Sequence, residues 1–301
     1  MRAAAILGLG CSEKDLRPFR QNSQATWTVG LPGSSHDVDA ILIFGGDGTI
    51  HRHLAHLVRL QLPVLIVPCG SGNDFARALK LRSIRDALTA WRNFASGADN
   101  VKKIDLGVIS PLAVPAPHSH YFCCVGGVGL DAETARRANR LPRWLRGHGG
   151  YALSLPGALY RFTAQRMKIS RPVADHPEQL IVYSDQRVYL AAFANAPAYG
   201  GGMKIAPHAL LDDGQLDICI VRNTDKLKLF CLFPTIYFGH HLEVPQVDYF
   251  QTEGLRIETE APFDVYADGE YVCHTPIDVS IVPGALRVIV PRHRVQEQAE
   301  Q

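Results

Sequence analysis

The sequence has no run of apolar residues approaching the ~20 that a membrane-spanning helix needs. It has almost no excess of charge, with 31 Lys plus Arg against 29 Asp plus Glu and a formal net charge of +2. That balance does not announce a nucleic-acid binder, and it confines any cationic surface to a local patch. None of the seven scattered cysteines makes a C-x-x-C pair, although Cys123 and Cys124 are adjacent, so the usual zinc and redox spacings are missing. An odd cysteine count, with an amino terminus (MRAAAILGLG) that reads as a first strand rather than a secretory leader, is expected of a reduced, cytosolic protein. There is no repeat, coiled coil or long charge block. There is also no G-x-x-x-x-G-K-[ST], no G-x-G-x-x-G opening the first helix and no H-R-D set, which removes the Walker-type NTPases and the protein kinases. Without G-x-S-x-G, Ser71 is not a hydrolase nucleophile.

What is present begins with size. A chain of 301 residues, 47% hydrophobic, can bury substantial cores and favours two domains. From Asp39 to Lys80 the pattern alternates: an apolar run (AILIF), a glycine turn, a helical stretch (IHRHLAHLVRL), a second run (PVLIVP), a glycine turn (CGSGNDF) and another helical stretch. This is the βαβ signature, with parallel strands and both turns at their carboxyl ends, where open α/β sheets bind ligands. After about Ser83 one more helix closes the unit. Short runs then follow between Gly, Pro and Asp, among them VKKIDLGVI, HYFCCVGGVG, QRVYLAAFANA, QLDICIVR and FDVYADGEYV, as a largely antiparallel β domain would supply. Helical interruptions are expected at 131–161 and 225–241. The expected division is 1–103 for an α/β unit and 104–290 for a β-rich unit, with the tail near 290–301 packing back on the first.

In the first turn, Gly45, Gly46 and Gly48 free the backbone to approach an anion at the positive end of the next helix. Asp47 is out of place in an anion nest unless a metal accompanies the anion, which suits a nucleotide with Mg²⁺. An ordinary strand-to-helix turn capped by Asp47 fits that turn alone equally well. The second turn, P68-C-G-S-G-N-D-F-A-R77, brings another acidic glycine turn to the same sheet edge.

Four ordered motifs then carry a resemblance: G45-G-D-G-T49, P68-x-G-S-x-N-D-F-A-R77, Y199-GGGMKIAP-x-A-L-L-D-D-G-x-L-D217 and D268-G-E270. Together they resemble the diacylglycerol kinase catalytic-domain family, which includes bacterial lipid kinases and the sphingosine kinases, from about Asp39 to Pro291. The resemblance implies a Rossmann-like, NAD kinase-like α/β domain followed by a mainly antiparallel β-sandwich, and ATP- and Mg²⁺-dependent phosphorylation of a lipid hydroxyl at a membrane surface. It implies that Gly45, Gly46, Asp47, Gly48, Thr49, Ile50, His51, Ser71 and Asn73 contact the nucleotide, that Asp47 and Asp74 serve catalysis near Mg²⁺, and that Glu270 is the general base. Leu210, Asp213 and Gln215 would form a structural Mg²⁺ site, two of them through carbonyls. Arg77, one helical turn after Asp74, is placed by that spacing to face the cleft and meet a lipid or nucleotide phosphate.

Read locally, several of these residues have a plainer use. Asn73 and Asp74 suit a helix cap, D-G-E suits a hairpin turn, L-D-D-G-Q suits another, and Arg77 suits a solvated helix. The chain also departs from the family, lacking the N-P-x-S-G-type turn after the first strand and carrying His51 where Asn is common and Ser71 where Thr is usual. His53 and His56, like His118 and His120, lack neighbours that would complete a metal site. For peripheral membrane contact the basic segment around Trp144 (Arg136, Arg137, Arg140, Arg143, Arg146) is one candidate, and a solvated helix or loop is the other.

Overall fold

The AILIFG run forms β3 (Ala40–Gly45), buried at all six positions as a strand covered on both faces must be. Parallel ladders join it to β1 (Arg2–Leu7) and β4 (Val64–Pro68), and β2 (Thr26–Val29) continues the sheet beyond β1. Helices α1 (Glu13–Gln21), α2 (Asp47–Leu60), α3 (Asp74–Ala78) and α4 (Ile84–Ala95) complete this half. In α2 the residues Ile50, Leu54, Leu57 and Leu60 fall on one buried stripe, the period of an amphipathic helix packed on a sheet. The computed structural model describes residues 1–113, 119–141, 151–173 and 176–292.

The second half is antiparallel. It comprises β5 (Val101–Pro111), β6 (His120–Phe122), β7 (Val125–Gly129), β8 (Gln165–Val173), β9 (His176–Ala194), β10 (Leu216–Arg222), β11 (Val247–Thr252), β12 (Gly254–Thr259), β13 (Asp264–Ala267), β14 (Glu270–His274) and β15 (Ile277–Ile289). Its path runs β14-β13-β7-β9-β8-β12-β15. The HYFCCVGGVG run is two strands, β6 and β7, broken at the cysteine pair. Phe122 and Phe193 meet edge to face at 5.5 Å and lie over Gly107 and Gly126, where any side chain would strike a ring. β15 is shared: it pairs antiparallel with β5 and β12, and near its end Val288 pairs in parallel with Val64 of β4.

The expected helix at 131–161 appears as α5 (Leu130–Ala138) and a second helix, Tyr151–Arg161. The expected 225–241 segment is the helix Lys226–Leu232 followed by two 3₁₀ turns, Phe233–Tyr237 and His240–Glu243, which begin at Phe233-Pro234, where proline permits a helical start but not an α-helical continuation.

Candidate active site

The two glycine turns lie against each other. A Cβ on Gly46 would sit 2.9 Å from Gly70 Cα, and one on Gly70 would collide with Gly46 in turn. Part of the glycine demand therefore comes from backbone packing on backbone. The acidic side chains account for more of it. A Cβ on Gly48 would meet Glu270 Oε1 at 2.9 Å, and one on Gly72 would meet Asp47 Oδ2 at 2.8 Å.

Asp47 opens α2, yet its carboxylate caps α3, accepting the Asp74 N–H and the Phe75 N–H at 3.1 Å each. Burial, reinforced by the neighbouring Asp74 charge, pushes its carboxyl up to about 6 against those two donors. Since Asp47 holds the cap, Asn73 does not: it takes a left-handed φ of 56° and closes its own loop, accepting from Gly70 N–H at 3.0 Å and donating to Gly70 C=O at 2.6 Å. Asp74 is buried, with Oδ2 accepting the Gly201 N–H at 2.8 Å and Oδ1 paired with Arg77. Arg77 thus turns to Asp74 one helical turn back, and it is not among the residues that line the cleft.

Glu270 is presented by a two-residue turn, Asp268-Gly269, whose φ values of 49° and 83° are those of a primed hairpin turn. In an isolated hairpin Asp268 would point to solvent. Here its carboxylate folds inward, fully buried, and accepts Cys123 N–H at 2.9 Å and Cys124 N–H at 2.8 Å, while Oδ2 lies 3.1 Å from His51 Nδ1. Burial opposes its ionisation, but His51 and these amides hold it below the usual carboxylate range. For His51 burial again acts the other way, yet the Asp268 hydrogen bond and charge raise it above the ordinary imidazole value. Asn139, the C-cap of α5, donates to Gly269 C=O at 2.7 Å, fixing the far side of the turn.

These pieces enclose a cleft of about 640 Å³ between the halves, lined by Gly46, Asp47, Gly48, Thr49 and Arg52 of the first turn and α2. Gly70, Ser71, Gly72 and Asp74 come from the second turn, and Tyr199, Gly200, Gly201, Asp268 and Glu270 from the β half. Leu9 and Gly10 form the wall after β1. The adjoining helix end carries a capping box, in which the Ser12 hydroxyl accepts the Lys14 N–H at 3.3 Å and Asp15 accepts the Ser12 N–H at 2.8 Å. Tyr199 also borders a second, apolar pocket of about 50 Å³, walled by Leu155, Leu159, Leu229, Phe233 and Ile236 among others. The Tyr199 hydroxyl donates to Asp131 Oδ1, and burial pushes the Asp131 carboxyl up to about 7.

Two expected nucleotide contacts lie elsewhere. Ile50 is in the core, 1% exposed, because it belongs to the buried stripe of α2. His51 faces the Asp268 turn and is not a cleft residue. Asp74, Asp47, Gly46, Gly48, Thr49, Ser71 and Glu270 are gathered in the cleft, Gly45 and Asn73 sit just behind it, and the 210–215 loop is separate. There Asp213 Oδ1 accepts its own Gln215 N–H at 3.0 Å and Oδ2 accepts Gln251 Nε2 at 3.3 Å, so its carboxylate is engaged as in a capped turn, with Leu210 exposed beside it. Of the basic membrane candidates, Arg136 and Arg137 both bind Glu133, and Arg143, Trp144 and Arg146 lie outside the described residues. Sequence reading does not name Arg52, Asn139 and Asp131 as site residues, and Tyr199 and Asp268, which open two of the ordered motifs, have no role assigned there. Arg52 had a signal, one helical turn after Gly48 and Thr49, whereas a turn aspartate buried by folding inward has none.

As a donor set, Asp47 and Asp74 in electrostatic contact offer hard oxygens whose mutual repulsion a divalent cation relieves, which suits Mg²⁺ completed by water.

The diacylglycerol kinase catalytic domain model matches residues 22–109, and the YegS C-terminal NAD kinase beta sandwich-like domain model matches residues 125–290. A diacylglycerol kinase of Mycobacterium tuberculosis is 34% identical over 261 residues, covering 85% of this chain and 78% of that protein. One from Bacillus subtilis is 24% identical over 263 residues, covering 87% and 80%. In fold, the chain resembles a diacylglycerol kinase crystal structure from Bacillus anthracis (TM-score 0.66, 20% identity, 96% of each chain). It also resembles an NAD kinase from Archaeoglobus fulgidus in complex with ATP (TM-score 0.53, 14% identity, 99% and 97%). With one model matching more than half of its length and a relative above 30% identity across most of it, the chain belongs to the family of diacylglycerol kinases and YegS-like lipid kinases.

Proposed function

We propose that the protein transfers the γ-phosphoryl group of ATP to a lipid hydroxyl such as that of diacylglycerol. The observation that carries this reading is the approach of Glu270, from the β half, to Gly48 at the head of α2, close enough that a Cβ there would meet its Oε1, which puts a carboxylate beside an amide-rich, acidic turn. Phosphoryl transfer asks mainly for alignment and charge neutralisation. The opening turn of α2 offers unsatisfied N–H groups and Arg52 a cation for the nucleotide phosphates, with Ser71 and Gly72 on the opposite wall. Mg²⁺, held by Asp47 and Asp74, supplies the remaining neutralisation when bound. Glu270 takes the proton from the acceptor hydroxyl, and the buried Asp268, with Asn139, fixes the turn that presents it. A second cation at Leu210, Asp213 and Gln215 would serve the β half structurally.

The lipid assignment leans on the relatives and on the apolar pocket one residue behind the cleft. At about 50 Å³ that pocket has room for only a few waters at about 10–15 Å³ each, so an acyl chain enters only if the surrounding helices part. The test is transfer of labelled γ-phosphate from ATP with Mg²⁺ to a panel of lipids in mixed micelles, beside Glu270→Gln. A labelled lipid that disappears in the variant is expected. ATP binding with no labelled lipid would overturn the reading in favour of a soluble acceptor or a silent nucleotide-binding regulator.

A further inference from the structure

Among its described side chains the helix Tyr151–Arg161 presents one charge, Arg161, and otherwise no polar face. Its buried positions, Ser154, Leu155, Ala158 and Leu159, look inward, and Leu155 and Leu159 line the apolar pocket. Its outward positions, Leu153, Pro156, Gly157, Tyr160 and Arg161, recur at helical spacing and are almost as apolar, with Leu153 61% and Tyr160 81% exposed. A surface helix of a water-facing protein normally carries charge there.

The helix Lys226–Leu232 repeats the arrangement beside it. Leu229 is buried and lines the same pocket, while Leu227 is 71% and Phe230 51% exposed. Lys226 Nζ donates to Tyr160 C=O at 2.8 Å, joining the two helices into one surface, and Phe238 lies 72% exposed just after the following 3₁₀ turn. A contiguous apolar patch of this kind marks an interaction surface. The charges on these helices are Arg161, Lys226 and Lys228. The nearby Asp225 carboxylate caps the second helix, accepting the Leu227 and Lys228 N–H groups, and Glu133 of α5 is outnumbered by Arg136 and Arg137.

We infer that this two-helix surface is where the protein inserts into an anionic lipid bilayer. Three features select a bilayer over a protein partner. The exposed side chains are apolar or aromatic with cations among them, the pattern of interfacial helices. The net charge of the surface is positive, matching anionic headgroups. The same helices wall the apolar pocket behind Tyr199, so seating their outer faces in hydrocarbon places that pocket at the bilayer boundary. The inference deepens the lipid-kinase reading and rests on it for the direction from which an acceptor arrives.

The experiment is flotation with vesicles of equal phosphatidylcholine and phosphatidylglycerol and, separately, of phosphatidylcholine alone. It compares the wild type, Leu227→Ser/Phe230→Ser, Leu153→Ser/Tyr160→Ser and Arg161→Glu/Lys228→Glu. Wild type is expected to float with the mixed vesicles. Each apolar pair is expected to weaken binding about tenfold or more, since each removes two side chains that the bilayer would bury. The charge pair is expected to lose binding to the mixed vesicles in a salt-dependent way while leaving its behaviour on pure phosphatidylcholine unchanged. Wild-type flotation by both apolar pairs would overturn the inference, as would a self-associated wild type that these pairs render monomeric without altered flotation. Transfer to a short-chain diacylglycerol dissolved as monomers separates the two readings. No transfer by wild type would sink the kinase assignment and leave flotation to judge the surface. Full monomer transfer by the apolar variants, with loss of transfer to vesicle-borne diacylglycerol, is expected if both hold.

Discussion

His51 of α2 pairs with Asp268 of the β13–β14 turn, Nδ1 to Oδ2 at 3.1 Å, and so ties the α/β half of the protein to the turn that presents Glu270. The pair has a defined pH window. The raised His51 value means that its stabilisation is fully present below about 6.5 and is lost as pH rises through the folded-state value. The lowered Asp268 value means that its share is present above about 3.9 and is lost as pH falls through the folded-state value. His51→Gln is therefore expected to lower stability by about 1–3 kcal/mol near pH 5.5 and by much less at pH 9, read as melting temperature against pH.

Glu270→Gln is expected to cut turnover about 10²- to 10⁴-fold, the usual worth of a general base, while leaving the melting temperature alone, because the side chain is exposed. A turnover near wild type would remove Glu270 from the proton-taking role.

Gly48→Ala and Gly70→Ala separate two demands for glycine. The Gly48 methyl would push on Glu270 Oε1, the far end of a flexible side chain, so turnover is expected to fall about 10²-fold with little loss of stability. The Gly70 methyl would strike the Gly46 backbone, which cannot yield locally, and a loss of about 1–3 kcal/mol is expected in denaturant unfolding. Equal losses of stability in both variants would contradict the contacts described.

Asp47→Ala is expected to lose transfer and also about 1 kcal/mol of stability, because it removes the cap of α3. Asp47→Asn retains an acceptor for one of those N–H groups and is expected to keep most of the stability while still losing transfer. Calorimetry beside a turnover assay distinguishes the two.

The fold was legible where period and burial agree. AILIF and VLIVP are continuous apolar runs of strand length, and they became β3 and β4 with every residue but Pro68 buried. Glycine turns mark the cleft because open α/β sheets bind at strand ends. The helix of 131–161 was only partly legible, since no periodicity in the sequence sets where α5 stops. The site was least legible where tertiary contact reassigned a side chain. Asn73 yields its cap to Asp47, twenty-six residues earlier in the chain, and Asp268 turns inward because Cys123 and Cys124 offer amides there. No local pattern encodes those choices. His51, met as an oddity in a nucleotide turn, proves to be a partner of that inward aspartate.

The last strand gives the molecule a mechanical character. β15 begins among the antiparallel strands and finishes against β4, so one continuous stretch of backbone is woven into both halves. Halves sewn together in this way resist hinging, and either half expressed alone would be missing part of its own sheet. The protein should melt in a single calorimetric event, and whatever opens to admit a substrate must be found in the loops and helices around the cleft, with the seam itself holding still.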